Sequence, residues 1–320
     1  MLQEDAVLFS GSSYPKLAKE IALAAGIPYG SVQCERFPDG EISLELRESV
    51  RGKNVFVVQS VAIHPNEYWM ELLILVDALR RASAKSIIAV MPYFGYSRQD
   101  RKDKPRVPIT AKLVANLLTQ AGVDRVVTMD LHTEQLQGFF DIPVDHLYAR
   151  PLMVEAVKRG GFKNGIVVAP DIGSVKIARS YAEELGTDFA IVDKHRQSAF
   201  EVEVLNLIGD VQGKDVLLAD DICSTAGTLE SAAKACHEKG ANRVYAAITH
   251  GLFVGDALEK INASPIEILY CADTIPLQES QAKCKKLQAV SCAGLFGRAV
   301  QYTLSNRSIA SLFDNTAAHS

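Results

Sequence analysis

A chain of 320 residues that is 48% apolar holds enough hydrophobic material for roughly two cored domains. Its 34 Lys and Arg against 38 Asp and Glu leave a formal charge of -4, too small to draw the whole molecule to nucleic acid or to an anionic membrane. The acidic start "MLQEDAVLFSGSS", the short apolar stretch "MELLILVDAL" and six scattered cysteines without a C-x-x-C pair lead us to expect no signal peptide, no membrane span and free thiols in a cytoplasmic setting.

Along the chain, "RFPDGE" at 36–41 reads as a hairpin turn carrying Phe37, Asp39 and Glu41. Short Val- and Ile-rich runs then recur, each preceded by helix-like sequence: "NVFVVQS" from 54, "SIIAVMPY" from 86, "RVVTMDLH" from 125, "GIVVAPD" from 165, "DVLLADD" from 215 and "RVYAAITHG" from 243. Unbroken apolarity suits strands covered on both faces, which predicts an α/β class of mainly parallel sheets flanked by helices. Ligands of such sheets bind beyond the carboxyl ends of the strands. The polar residues there are therefore the candidates: Arg98 and Gln99 after the second run, His132 after the third, Asp171 after the fourth, and Asp220 with Asp221 closing the fifth. The Arg and Lys residues of 98–106 lie among aromatics, but Asp100 and Asp103 interrupt them, which argues against a nucleic-acid patch.

A faint repeat links "RGKNVFVVQS" from 51 with "QGKDVLLADD" from 212, and "ASAKSIIAVMPY" from 82 with "KGANRVYAAITH" from 239. Duplication of one α/β unit and chance likeness of buried strands both account for it. The best boundary lies in the proline-marked stretch 141–152, giving domains 1–147 and 148–320. The apolar, helically spaced segment from about 289 is expected to return and pack elsewhere, on the first domain.

Residues 216–228 carry the densest chemistry. An apolar run, the pair Asp220 and Asp221, then Ser224, Thr225, Ala226, Gly227 and Thr228 describe a strand, a turn and a helix start. Small hydroxylated residues let backbone N–H groups converge on an anion, and the following helix adds its positive pole. The carboxylates beside this cradle can accept hydrogen bonds from vicinal sugar hydroxyls or hold a hydrated Mg²⁺. An acidic N-capping turn is the plainer alternative for such a motif by itself. Neither G-x-x-x-x-G-K-[ST] nor a Rossmann G-x-G-x-x-G is present.

Seven segments together carry a resemblance: "RFPDGEISLELRESVRG" from 36, "MELLILVDALRRASA" from 70, "PYFGYSRQDRK" from 92, "PITAKLVANLL" from 108, "DLHTEQLQGFFDIPVDHLYA" from 130, "DKHR" from 193 and "DDICSTAGT" from 220. Across nearly its whole length the chain resembles the ribose-phosphate pyrophosphokinases. The resemblance implies two similar phosphoribosyltransferase-like domains, the substrates ATP and ribose 5-phosphate, Mg²⁺, and assembly as a hexamer of dimers. It also implies roles: ATP contacts from Arg98, Gln99, His132 and, through a neighbouring subunit, Phe37, Asp39 and Glu41; a metal site at His132 and Asp171; ribose 5-phosphate contacts from Arg196, Asp220, Asp221 and residues 224–228. Lys194 and Arg196 are the expected catalytic pair, since diphosphoryl transfer needs positive charge around the phosphorus under attack.

The chain departs from the family pattern in places. Ser224 stands where a third acidic residue is usual and Ser174 where a second glycine follows Gly173. In the regulatory loop Lys104, Pro105, Arg106, Val107 and Pro108 replace the common R-S-R-E-P, and Ala310 replaces a serine, so weakened phosphate activation and ADP inhibition are expected. Two rival functions are a type I phosphoribosyltransferase, which shares the 216–228 motif, and a non-catalytic regulatory subunit, which Ser174 and Ser224 suggest. The segments at 37–41, 98–99 and 194–196 count against the first, and intact Lys194, Arg196, His132 and Asp171 against the second.

Overall fold

The computed structural model describes residues 5–195 and 204–313. The chain traces one element order twice. The first pass runs β1 (Ala6–Ser10), α1 (Pro15–Ala25), an antiparallel pair β2 (Val32–Arg36) and β3 (Ile42–Leu46), β4 (Asn54–Val58), α2 (Pro65–Arg81), β5 (Ser86–Met91), α3 (Thr110–Ala121), β6 (Arg125–Met129), a 3-10 turn at Glu134–Phe139, β7 (Val144–Leu147) and α4 (Arg150–Arg159). The second runs β8 (Gly165–Ala169), α5 (Val175–Leu185), an antiparallel pair β9 (Phe189–His195) and β10 (Val204–Ile208), β11 (Asp215–Cys223), α6 (Gly227–Glu238), β12 (Arg243–Gly251), α7 (Ala257–Ala263), β13 (Ile266–Ala272), α8 (Gln278–Lys283), β14 (Leu287–Val290) and α9 (Ala293–Leu304).

The first sheet is wholly parallel in the order β1-β4-β5-β6-β7, and the second matches it as β8-β11-β12-β13-β14, with β9 and β10 added beyond β8. The faint repeat thus aligns β4 with β11 and β5 with β12, as duplication requires. Asn54 to Val58 of β4 and Val216 to Ala219 of β11 are apolar after their first residue because helices cover both faces of each sheet. In the first pass β2 and β3 form a separate two-stranded sheet whose Val32, Leu44 and Leu46 pack on the core formed by Trp69, Leu72, Leu75 and their neighbours.

Two compact units result, one of residues 1–148 with 292–320 and one of residues 149–291. The helix that ends each pass therefore belongs to the other unit: α4 to the second, α9 to the first. In the first unit α9 lies against α1, and the crossing is close because Gly297 faces Ala24, whose Cβ is 2.5 Å from where a side chain at 297 would begin. Gln301 Nε2 donates to the carbonyls of Ala24 (3.2 Å) and Ala25 (3.3 Å), capping the end of α1. In the second unit Arg150 of α4 pairs with Glu184 of α5 at 2.6 Å. Among the described residues no helix is long and apolar enough to cross a membrane.

Overpacking a close helix crossing costs about 1–3 kcal/mol, so Gly297→Val is expected to lower the melting temperature by roughly 3–10 °C. Scanning calorimetry checks this; an unchanged melting temperature would show that α9 does not approach α1 so closely.

Candidate active site

In the second unit the strand order reverses between β8 and β11, since β9 and β10 extend the sheet on one side and β12 to β14 on the other. Loops leaving the carboxyl ends of β8 and β11 diverge, and a crevice opens between them. Asp171 lies two residues past β8. Asp220 and Asp221 belong to β11 itself, beyond Leu218, the last of its residues paired with β8. The sequence placed the aspartates at the end of the strand; the strand runs two residues further, to Cys223, because β12 stays paired with it through Gly251.

The three carboxylates crowd one another. Burial, then the charges of Asp221 and Asp171, push the Asp220 carboxyl up to about 8. The Asp221 amide donates to Asp220 Oδ1 at 3.0 Å, and the Asp221 side chain is buried to 8% exposure. Asp171 is oriented by Ser174, whose N–H (3.1 Å) and Oγ (3.2 Å) both reach Asp171 Oδ1. Ser174 has φ -91, a value any residue adopts, so glycine is not required there.

The loop after β11 is shaped to present amides. Ala226 sits at φ 60 as the residue before α6, a left-handed conformation that costs a non-glycine about 1 kcal/mol or more and turns the chain sharply. The carbonyls of Cys223 and Ser224 accept from the amides of Leu252 (2.9 Å), Phe253 (3.3 Å) and Val254 (3.0 Å). Among the described residues the amides of Ser224, Thr225, Gly227 and Thr228 donate to no backbone carbonyl. They stand at the positive end of a twelve-residue helix, an arrangement suited to a phosphate. Beneath the loop, burial and the Asp220 charge push the Cys223 thiol up to about 12, which removes it as a nucleophile. The bracing role of 252–254 has no composition or motif signal.

The remaining candidates fall on three places in the first unit and on β9. Phe37, Asp39 and Glu41 form the β2–β3 turn, closed by Phe37 N–H to the Glu41 carbonyl (2.9 Å) and by Glu41 N–H to Asp39 Oδ1 (3.2 Å). Phe37 is 53% exposed at its tip. Arg36 ties this hairpin to Glu67 of α2 at 2.7 Å. Arg98 and Gln99 lie in the loop after β5, where Gln99 Oε1 accepts from Thr110 Oγ1 at 2.5 Å. His132 lies exposed after β6, and the bond from Thr133 Oγ1 to Asp100 Oδ2 (2.9 Å) joins its loop to that of Arg98 and Gln99. Lys194 occupies β9 opposite Leu205, with only its backbone described, and Arg196 lies outside the described residues.

Comparison with known proteins gives this arrangement a setting. Residues 6–122 match the N-terminal domain of ribose phosphate pyrophosphokinase, and residues 197–314 match the phosphoribosyl synthetase-associated domain. The ribose-phosphate pyrophosphokinase of Wolinella succinogenes is 52% identical over 306 residues, covering 96% of this chain and 98% of its own. That of Chlorobaculum tepidum is 50% identical over 309 residues, covering 96% and 95%. The chain belongs to the ribose-phosphate pyrophosphokinase family. The crystal structure of phosphoribosylpyrophosphate synthetase from Mycobacterium smegmatis superposes with a TM-score of 0.89 at 37% identity, over 94% of this chain and 99% of that one.

A ribose-phosphate pyrophosphokinase uses ATP, which implies a metal cofactor, and the crevice chemistry fits one. Asp171 and Asp220 offer hard oxygen donors whose mutual repulsion a divalent cation relieves. Among the described residues no three His, Cys, Asp or Glu are placed to hold a metal ion by themselves.

Because the folded state holds the Asp220 proton above its ordinary 3.8, the ligand-free chain binds more protons folded than unfolded between that value and about 8. Its stability falls as pH rises through this window. Asp220→Asn is expected to raise the ligand-free melting temperature at the top of the window by roughly 3 °C, with the gain fading toward its acidic end. Melting curves across pH check this.

Proposed function

We propose that this chain transfers the diphosphoryl group of ATP to the C1 hydroxyl of ribose 5-phosphate, giving phosphoribosyl pyrophosphate and AMP. One observation supports the sugar-phosphate half above all: the adjacent carboxyls of Asp220 and Asp221 lead directly into a loop with four amides that have no backbone acceptor among the described residues, at the switch point of the sheet. A ribose bearing a 5-phosphate matches both parts, with hydroxyls for the acids and an anion for the amides.

In this reading Asp220 and Asp221 accept from the ribose hydroxyls, and Ser224, Thr225, Ala226, Gly227 and Thr228 hold the 5-phosphate. Ser224 keeps a hydroxyl where family members carry a further acid, which favours a small change in sugar affinity over loss of activity. Arg98, Gln99 and His132 hold ATP, and Phe37, Asp39 and Glu41 reach the nucleotide of a neighbouring subunit in a hexamer of dimers; the exposed Phe37 at a hairpin tip favours such reach. His132 and Asp171 would hold Mg²⁺, which supplies positive charge against the phosphate oxygens. Holding the C1 hydroxyl in line with the β-phosphorus removes much of the entropic part of the barrier. Lys194 and Arg196 neutralise the charge that spreads over the equatorial oxygens as the bond to AMP breaks. The loose transition state places little demand on a strong general base.

Incubation with ribose 5-phosphate and ATP is expected to release AMP without any added nucleobase, which separates this activity from that of a phosphoribosyltransferase. Lys194→Ala lowers the rate by about 10²–10³-fold. Equal AMP release by wild type and variant would remove Lys194 from the catalytic assignment.

Phosphate activation should be weak, because Pro105 and Val107 offer no side-chain donor and Ala310 no hydroxyl. A phosphate titration of initial rates tests this, and full activation would overturn it.

A further inference from the structure

The first unit carries the same crevice as the second, at the carboxyl ends of β1 and β4. Superposing the two element orders puts Ser12 where the second unit has Asp171, and Gln59 with Ser60 where it has Asp220 and Asp221. In the second unit these positions are acidic and the loop amides are left for a ligand. In the first unit the polarity is reversed: the crevice residues are donors, and the acid comes from elsewhere.

That acid is Glu71, the seventh residue of α2, buried to 2% exposure. Its carboxylate accepts from the Ser12 amide, from Ser12 Oγ at 2.5 Å and from Gln59 Nε2 at 3.3 Å. Cys34 of β2 is an exposed thiol whose pKa is raised by partial desolvation and by the nearby Glu71 charge. Gln59 Oε1 in turn accepts from Ser13 N–H at 3.3 Å and Ser13 Oγ at 2.7 Å, and Ser13 Oγ accepts from Ser60 N–H at 2.9 Å. Gly11 completes the enclosure, because a Cβ at 11 would collide with Gln59 Oε1 and Glu71 Oε1. Among the described residues no Lys, Arg or His forms an ion pair with Glu71. A buried carboxylate neutralised by converging neutral donors, with no cation, has the coordination of a bound anion.

We infer that the crevice of the first unit is an anion site of carboxylate class, filled in cis by Glu71, so that a chain with two copies of the fold takes sugar phosphate in one. Glu71 occupies the space and the donors that a ligand would need. Arg36 ties the β2–β3 hairpin to Glu67 of the same helix.

Chemical rescue tests the inference. Glu71→Ala leaves the donors of Ser12 and Gln59 facing an empty space of carboxylate size, and its melting temperature is expected to fall by roughly 5–10 °C. Formate should restore most of that loss, while chloride at equal ionic strength and neutral formamide should not, and the wild type should respond to none of them. If Glu71→Ala is recovered only as aggregate, the same comparison is made on its refolding yield from urea. Glu71→Gln keeps the volume and one acceptor but puts an NH₂ among donors, so it should melt between wild type and Glu71→Ala and ignore formate. Titration of the wild type with ribose 5-phosphate should saturate at one molecule per chain. The inference is overturned if formate does no better than chloride on Glu71→Ala, if Glu71→Gln is as stable as wild type, or if the wild type takes two ribose 5-phosphates. An absence of ribose 5-phosphate binding would overturn the proposed function and leave the formate comparison standing.

Discussion

The crowding of carboxyls at the end of β11 is the constraint on which the rest of this structure depends. A carboxyl in the position of Asp220, buried and facing Asp221 and Asp171, is poorly placed by any standard of stability. It persists because the sheet leaves no choice of neighbour: β11 lies between β8 and β12, and the pairing with β12 carries the aspartates past the point where β8 ends. Such a carboxyl costs the ligand-free protein stability as pH rises, a cost characteristic of residues kept for function rather than for folding.

The amide loop beside it follows the same logic by a different route. Ala226 adopts a backbone conformation that its side chain disfavours, and the 252–254 segment holds the loop by its carbonyls. The amides of Ser224, Thr225, Gly227 and Thr228 are left without backbone acceptors among the described residues. Rigid, pre-positioned dipoles need no reorganisation when an anion docks, which is the source of their advantage over flexible lysines. The two halves of the sequence show how one backbone plan supports opposite outcomes. Where the second copy kept acids and bare amides, the first acquired Ser12, Gln59 and a glutamate that closes the space from within.

Much of this was legible before any coordinates. Unbroken Val and Ile runs announced parallel strands because only double-sided burial tolerates them, and Asp220 with Asp221 stood out as charges where an apolar run should continue. The likeness of 51–60 to 212–221 falls on equivalent strands, β4 and β11, although it was too short to separate from chance by letters alone. Other features were hidden for definite reasons. Glu71 sits one residue before Leu72 and four before Leu75 on the buried side of α2, a displaced polar residue in an apolar face, but its partners Ser12 and Gln59 are brought to it only by the sheet. The continuation of β11 to Cys223 depends on β12, and the bracing amides of 252–254 act through their backbone, which leaves no trace in side-chain identity.

The trading of α4 and α9 bears on how the chain is made. Residues 149–291 form an uninterrupted stretch, whereas the bond from Gln301 to Ala24 spans 277 positions. During synthesis the later-encoded body can close while the earlier one still waits for its last helix, so the amino-terminal half emerges first and finishes second. Until α9 leaves the ribosome, the face of α1 on which it packs stays uncovered.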